Sequence, residues 1–393
     1  MELSGRRLLV SDADERKALS IIRSLAPRGV SVYAADCSKR ASSFYSRYCS
    51  ERAVYRADVE KEPWLYVKEV ARLLEAFKVD VFFPVSTEAT LATSFFKEDL
   101  EDHAKVPVAD YSKMLRAHDK YSAIKTAEEV GVPVPKTECP RSLDEVGEAA
   151  SHVGLPLVIK ARMYSGVRKG VRYVDEPAKL LKSYMDIHSR GSGDNIAKRF
   201  ANPILQEFIP GEIHDVCVLF NHGEPRAVLT QLRLKTVPPK GGPGVVNITT
   251  DVPILKEYAV RLMEALEWHG VAQLEFKRDP RDGLFKLIEI NPKFWGTLQL
   301  SIEAGVDFPY MLFKMALEGD VEPRYEYRKG LTYVWLLDAA EYVLSSSSKF
   351  KALRSVALDI LRGVDDFYLK DAGPSLVKWS LFTLSLLRRL GGG

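Results

Sequence analysis

The 393-residue chain has little cysteine, almost no net charge and no long apolar run. Its four cysteines, Cys37, Cys49, Cys139 and Cys217, lie far apart. No pair has zinc-type spacing, and no disulfide framework is implied. The 56 Lys and Arg against 53 Asp and Glu leave a formal charge of +3. That is too little to argue for a nucleic-acid partner, and no long basic run argues otherwise. No stretch reaches the length that spans a bilayer. The opening MELSGRRLLVSDADE lacks the apolar core of a signal peptide, so a cytoplasmic protein is expected. Glycine is missing where it would announce a dinucleotide site. Residues 6–12 (RRLLVSD) read as a strand, 15–27 as a helix, and Val30 to Ala35 as a second strand. The turn between the first strand and the helix, Ser11-Asp12-Ala13-Asp14-Glu15, has no glycine and three acids, which is hostile to a pyrophosphate. What remains is ordinary for a globular protein: 46% apolar and 28% charged residues, at a length that predicts two or three domains.

The most informative stretch is residues 270–297, GVAQLEFKRDPRDGLFKLIEINPKFWGT. Ala272, Leu274 and Phe276 alternate with Gln273, Glu275 and Lys277, the period of a half-buried strand. Asp279 to Gly283 has turn composition, and Leu284 to Ile290 reads as the returning strand. With Glu275 opposite Glu289, Phe276 faces Ile288, Leu274 faces Ile290 and Gln273 faces Asn291. Two carboxylates directly opposite each other repel unless a cation lies between them or one stays protonated. Two carboxylates and the amide oxygen of Asn291 are hard ligands suited to magnesium shared with phosphate oxygens. The alternative is a surface hairpin whose acids are solvated.

Glu275 followed by Glu289-Ile290-Asn291-Pro292-Lys293 resembles the metal-binding end of the ATP-grasp superfamily, which includes biotin carboxylase, carbamoyl-phosphate synthetase and many carboxylate–amine ligases. That family usually has Arg where this chain has Lys293, and Arg and Lys are not equivalent at a bidentate site. NPKFWGTLQLSIEAGVDFP is similar to the carbamoyl-phosphate-synthetase-like ligases. The resemblance implies an α/β protein: a Rossmann-like N-terminal domain (1–110) that does not bind NAD, a two-lobed ATP-grasp (111–325) and a helical C-terminal region (326–393).

Other residues take roles from the same resemblance. Lys120, on a helix expected over 111–130, and Lys160, ending the apolar run Leu157-Val158-Ile159, match the two phosphate-binding lysines. Gly166 lies in the loop that would cover the phosphates. Gln206, Glu207, Phe208 and Ile209 match the segment along the adenine edge, and Glu212 the acid on the ribose hydroxyls. His214, two residues on, is either a ligand contact or a buried structural histidine. Gln231, Arg233 and Lys235 share one face of a strand leading into the glycine-rich loop 238–244. Arg233 and Lys293 are the candidates to stabilise transferring charge, with pairing to an acid across the sheet as the alternative for Arg233. Glu275, Glu289 and Asn291 would hold magnesium, with manganese as a substitute. Ser86-Thr87-Glu88 reads as a helix cap, near the edge where the resemblance places the substrate end, with a plain cap as the alternative. The implied activity joins a carboxylate to an amine or thiol through an acyl phosphate, releasing ADP and phosphate. A kinase-like phosphotransferase and a silent nucleotide-binding module are the alternatives. Small-molecule carboxylate and amine substrates are expected as partners, and assembly into a homo-oligomer is left open. The final segment SLVKWSLFTLSLLRRLGGG is expected to dock on the core, with contact to a membrane surface as the alternative.

Overall fold

The computed structural model describes residues 3–163, 170–189, 202–238 and 241–391. The first unit is a parallel sheet. Strands β1 (Arg7–Val10), β2 (Ser31–Asp36), β3 (Glu51–Val54) and β4 (Val81–Phe83) lie in the order β3-β2-β1-β4. Helices α1 (Arg16–Leu25) and α2 (Pro63–Phe77) intervene, and α3 (Thr87–Phe95) and α4 (Lys97–Glu101) follow. Parallel strands covered on both faces read as continuous apolar runs. Alternate side chains serve two separate cores: Leu8, Val10, Val32, Ala34, Val81 and Phe83 enter one, and Leu9, Ala35 and Phe82 the other. The acid-rich first turn is occupied from within. Asp12 has a left-handed φ of 52°. Its carboxylate accepts the backbone N–H of Val85 at 3.3 Å and of Ser86 at 3.0 Å. An anion bound there would meet that charge.

The expected helix over 111–130 is two helices, α5 (Tyr111–His118) and α6 (Lys120–Glu129). The break is at Asp119, whose extended backbone lets its side chain cap Tyr121 N–H. Asp119 also accepts the Arg162 guanidinium, with Nε at 2.7 Å from Oδ1. A helix period continues through such a break, so periodicity alone could not reveal it.

A small antiparallel lobe follows. Strand β5 (Thr137–Glu138), helix α7 (Val146–Val153), strands β6 (Leu157–Lys160) and β7 (Val171–Val174), helix α8 (Leu180–His188) and strand β8 (Ile204–Glu207) form a sheet ordered β5-β8-β6-β7. Leu157, Ile159, Val174 and Leu205 pack against Val153, Tyr184 and Ile187. The exit from this lobe needs glycine. A Cβ on Gly211 would stand 1.5 Å from the Arg278 carbonyl oxygen, so no side chain fits where the chain crosses to the larger sheet.

The larger sheet has seven strands. Strands β9 (Ile213–Asn221), β10 (Glu224–Thr236) and β11 (Gly244–Thr250) lead to α9 (Pro253–Ala265), then to the hairpin β12 (Gly270–Arg278) and β13 (Phe285–Asn291). Helices α10 (Leu298–Glu303) and α11 (Phe308–Glu318) come next, then β14 (Thr332–Val334), α12 (Leu336–Ser345), α13 (Lys349–Arg362), β15 (Val364–Asp365) and α14 (Gly373–Gly391). The sheet order is β13-β12-β9-β10-β11-β14-β15. One face buries Val216, Val218 and Phe220 under α9 residues Leu255, Ala259, Leu262 and Met263. The other buries Cys217, Leu219 and Leu229 against α10 and α11.

Residues 326–393 are therefore not helical throughout: β14 and β15 extend the large sheet. Both are too short to carry a strand signal. The start of α14 is anchored, because Asp371 accepts Arg23 Nε at 2.9 Å and Ser46 Oγ at 2.9 Å. Along the helix Leu376, Leu384 and Leu387 are exposed. No helix among the described residues is long and apolar enough to cross a membrane.

Candidate functional site

A cavity of about 1030 Å³ opens between the small lobe and the large sheet and extends to the first helix of the N-terminal unit. The hairpin β12–β13 forms its floor in nearly the expected register. Gln273 pairs with Asn291, Leu274 with Ile290 and Glu275 with Glu289. Beyond Glu275 a bulge shifts the ladder, so Phe276 pairs with Leu287 instead of Ile288. The apolar back face keeps its pairing, because Leu287 is buried beside Phe276. Ile288 is released to the cavity wall next to the carboxylates.

The paired carboxylates are held in unlike surroundings. Glu275 Oε1 lies 2.6 Å from Arg233 Nη2, and Glu289 Oε2 lies 3.3 Å from Lys120 Nζ. The Asn291 amide nitrogen bridges them, 3.1 Å from Glu275 Oε1 and 3.4 Å from Glu289 Oε1. Burial pushes the Glu275 carboxyl up to about 7; Arg233 opposes this, and Glu289 and Asp215 add to it. Burial also raises Glu289, but Lys120, Lys160 and Lys293 outweigh it and hold that carboxyl down to about 2. As one of two like charges sharing a site, Glu289 keeps its charge more firmly.

Lys160 ends β6 with its amine buried, donating to Gln206 Oε1 at 2.7 Å. Gln206 Nε2 in turn donates to Thr137 Oγ1 at 3.1 Å. Burial lowers the lysine to about 8, with Glu289 opposing. Lys120, expected beside Lys160 at the phosphates, does not line the cavity and stands behind Glu289.

Glu207, Phe208 and Ile209 do line the cavity, beside Val158, Val171, Tyr173 and Ile213. The Glu207 N–H is committed to Lys136 O at 2.8 Å and the Phe208 N–H to Pro156 O at 3.2 Å. Glu212 and His214 are not among the lining residues. The Glu212 side chain is mostly exposed, 3.9 Å from His214 Nε2. His214 pairs with Phe276 and Leu232 on the reverse face of the sheet and meets Phe285 edge-on at 4.9 Å. Gly166 lies outside the described residues.

Arg233 is paired across the sheet and lines the cavity at once. Its Nε donates to Asp215 Oδ2 at 2.9 Å and its Nη1 to the Gly242 carbonyl at 2.9 Å. Lys235, expected on the same face, reaches out to Asp359 of α13. Gly242 supports the loop from behind, since a Cβ there would stand 2.4 Å from the Val237 carbonyl oxygen.

The far end of the cavity gathers charges from distant segments. Lys293 donates to Thr87 Oγ1, and the Ser86 side chain caps α3 as expected, accepting Ala89 N–H at 3.0 Å. Glu15 of the first turn, Arg16 and Lys17 of α1, Glu88 of α3, and Asp338 and Glu341 of α12 complete this wall. Arg16 pairs with Asp338. Lys17 is buried, and its amine makes no hydrogen bond or ion pair to another described residue. Burial lowers its amine, against the pull of Glu15, Asp12 and Glu88.

Several of these residues carried no role in the sequence reading. Lys277 lies two residues past Glu275 on the same strand face, so the period-2 signal already placed it there. It lines the cavity and donates to Ile209 O at 2.8 Å. Asp215 has no such signal, because it comes beside Glu275 only when β9 joins the sheet. Asp338 and Glu341 lie on a helix whose place depends on the long-range pairing of β14 with β11.

Residues 199–339 match the family model described as an ATP-grasp in the biosynthetic pathway with Ter operon. Over 296 residues the chain is 22% identical to the carbamoyl phosphate synthase large chain of Pyrococcus furiosus, covering 70% of this chain and 26% of that one. Over 208 residues it is 27% identical to the D-aspartate ligase of Enterococcus faecium, covering 50% and 48%. It thus spans about a quarter and about half of these two relatives. Its fold matches Campylobacter jejuni biotin carboxylase in a β,γ-ATP complex with a TM-score of 0.68, 18% identity and 83% and 74% of the two chains. It matches Staphylococcus aureus N5-carboxyaminoimidazole synthetase complexed with ADP with a TM-score of 0.63, 14% identity and 84% and 81% coverage. The chain has an ATP-grasp-like α/β fold, and it resembles the carboxylate–amine ligase group of that superfamily in both sequence and structure.

Proposed function

We propose that the protein is an ADP-forming, ATP-dependent ligase joining a carboxylate to an amine through an acyl phosphate. The observation that carries this is the convergence of Glu275, Glu289 and Asn291 with Lys160 on one cavity between two lobes. The relatives' names and the ADP and ATP analogue named with the matched folds support it. In this reading residues 111–325 grip the nucleotide, while segments 1–110 and 326–393 add Glu15, Lys17, Glu88, Asp338 and Glu341 to the far wall beside Lys293.

The donor set fits magnesium. Among the described residues no group of three or more His, Cys, Asp or Glu gathers as a metal site. Two carboxylates and an amide suffice for an ion that takes its remaining ligands from phosphate and water. Glu275, Glu289 and Asn291 would hold it, the Asn291 amide turning its oxygen toward the ion. When bound, the ion neutralises charge on the phosphates.

Lys160 binds the phosphates, and Val158, Phe208, Ile209 and Ile288 bracket the base. Lys120 acts through Glu289, holding that carboxylate ionised. Arg233, fixed by Asp215, faces the developing charge on the transferring group. A carboxylate oxygen of the first substrate attacks the γ-phosphorus, the bond to the β,γ-bridging oxygen breaks, and ADP leaves. The amine nitrogen then attacks the acyl carbon, phosphate departs and the nitrogen loses a proton. The chain mainly positions these groups and balances their charge. The far wall suits both organic substrates, with Lys17 and Lys293 for a carboxylate and Glu15 and Glu88 for an ammonium group.

The test is a screen of acids with hydroxylamine in place of the amine. The correct acid should yield a hydroxamate in step with ADP. Production of AMP and pyrophosphate would overturn the reading.

A further inference from the structure

Nearly half of the large hydrophobic side chains exposed among the described residues lie between Leu344 and Leu387, away from the residues that line the cavity. Helix α13 shows the pattern best. Its inner stripe holds Val356 and Ile360, which pack with Val246 and Val334, and the buried Ala352. The stripe beside it is apolar too, and turned to solvent: Phe350 is 79% exposed, Leu353 56% and Leu361 82%. These positions, with Ala357, repeat at i, i+3, i+7 and i+11, which is one helix face. The exposed side chains flanking that face are Leu358 and the four cations Lys349, Lys351, Arg354 and Arg362. The helix's one acid, Asp359, is engaged inward with Lys235 of β10. A helix whose apolar arc runs past its buried stripe onto side chains more than half exposed marks a surface that something covers.

The charge of the rim decides between occupants. A second copy meeting this face about a two-fold axis would set the cationic rim against itself, with no acid of the face to pair it. An anionic lipid surface matches both features. The apolar stripe enters the headgroup boundary, and Lys and Arg reach the phosphates with their stems lying on the apolar layer. Since no helix among the described residues can cross a membrane, the arrangement is one of lying on the surface. The last helix repeats the theme, with Leu376, Leu384 and Leu387 exposed and no acid after Asp371 in a segment that holds Lys378, Arg388 and Arg389. We propose that helix Lys349–Arg362 is a docking face for an anionic membrane surface.

The test is co-sedimentation of the full chain with vesicles of phosphatidylcholine, alone or mixed with phosphatidylserine. Binding is expected to the mixed vesicles only and to fall with salt. Phe350→Glu with Leu361→Glu should abolish it at an unchanged melting temperature, because both side chains are already in solvent. Lys351→Ala and Arg354→Ala should each weaken it about fivefold. Absence of binding to either vesicle, or unchanged binding in the Phe350→Glu/Leu361→Glu variant, would overturn the proposal. So would a vesicle-free dimer that this variant converts to monomer, which would make the face an interface between copies.

Discussion

Lys160 is held by its neighbours as much as by its own strand. Gln206 accepts from it and is fixed by Thr137, so the amine is aimed before any ligand arrives. Pre-aiming of this kind lowers the entropy cost of binding. Lys160→Ala should weaken ATP by roughly tenfold or more, the worth of one charge-assisted hydrogen bond, and should weaken AMP less. Equal losses for both nucleotides, read by calorimetry, would place Lys160 away from the phosphates. This residue was singled out by the family resemblance, since a lysine ending a buried strand by itself normally reaches to solvent. Glu275, Glu289 and Asn291 were legible in the sequence itself, because they share one face of one hairpin. Asp215 was not, since its nearness to Arg233 depends on which strands become neighbours. Lys120 was expected at the phosphates, yet its amine meets Glu289 at 3.3 Å.

At the scale of elements, the hairpin shows what a period can and cannot carry. Alternation set the register at Glu275 and Glu289, because a one-residue slip would turn every apolar side chain to the cavity. The bulge at Ile288 left no trace in that pattern, since Leu287 is as apolar as Ile288 and takes its place. The break at Asp119 was hidden for a similar reason. Pro210-Gly211 has the composition of a turn, but composition does not show that glycine is required there. Gly211→Ala would press a methyl group into the Arg278 carbonyl, and relieving that contact should cost roughly 1–3 kcal/mol in a denaturant titration. Because the contact joins the exit of the small lobe to β12, nucleotide affinity should fall with it. An unchanged midpoint would mean that the turn relaxes freely.

At the scale of the whole molecule, the N-terminal unit, the small lobe and the large sheet meet at one cavity, and buried charge there sets the response to pH. His118 closes α5, and its Nε2–H donates to the Met163 carbonyl at 2.8 Å. Burial first, then Lys120 and Lys293, hold its imidazole down to about 3. In the unfolded chain it returns to its ordinary value of 6.5. As pH falls the unfolded state takes up the proton first. The stability contributed by neutral His118 is therefore whole above 6.5 and is lost progressively toward 3, by up to about 1.4 kcal/mol per pH unit. His118→Asn, which keeps a donor for Met163, should flatten the acid limb of a stability–pH curve. An unchanged limb would assign it to other groups. The central claim is that the hairpin carboxylates bind magnesium together with ATP. Its most direct measurement is calorimetric titration of ATP, with and without magnesium, into the wild-type chain and Glu289→Gln. Magnesium should tighten ATP binding to the wild type. In the variant that gain should shrink at least about tenfold, while metal-free ATP binds no more weakly than before. An equal magnesium gain in both proteins would contradict the account.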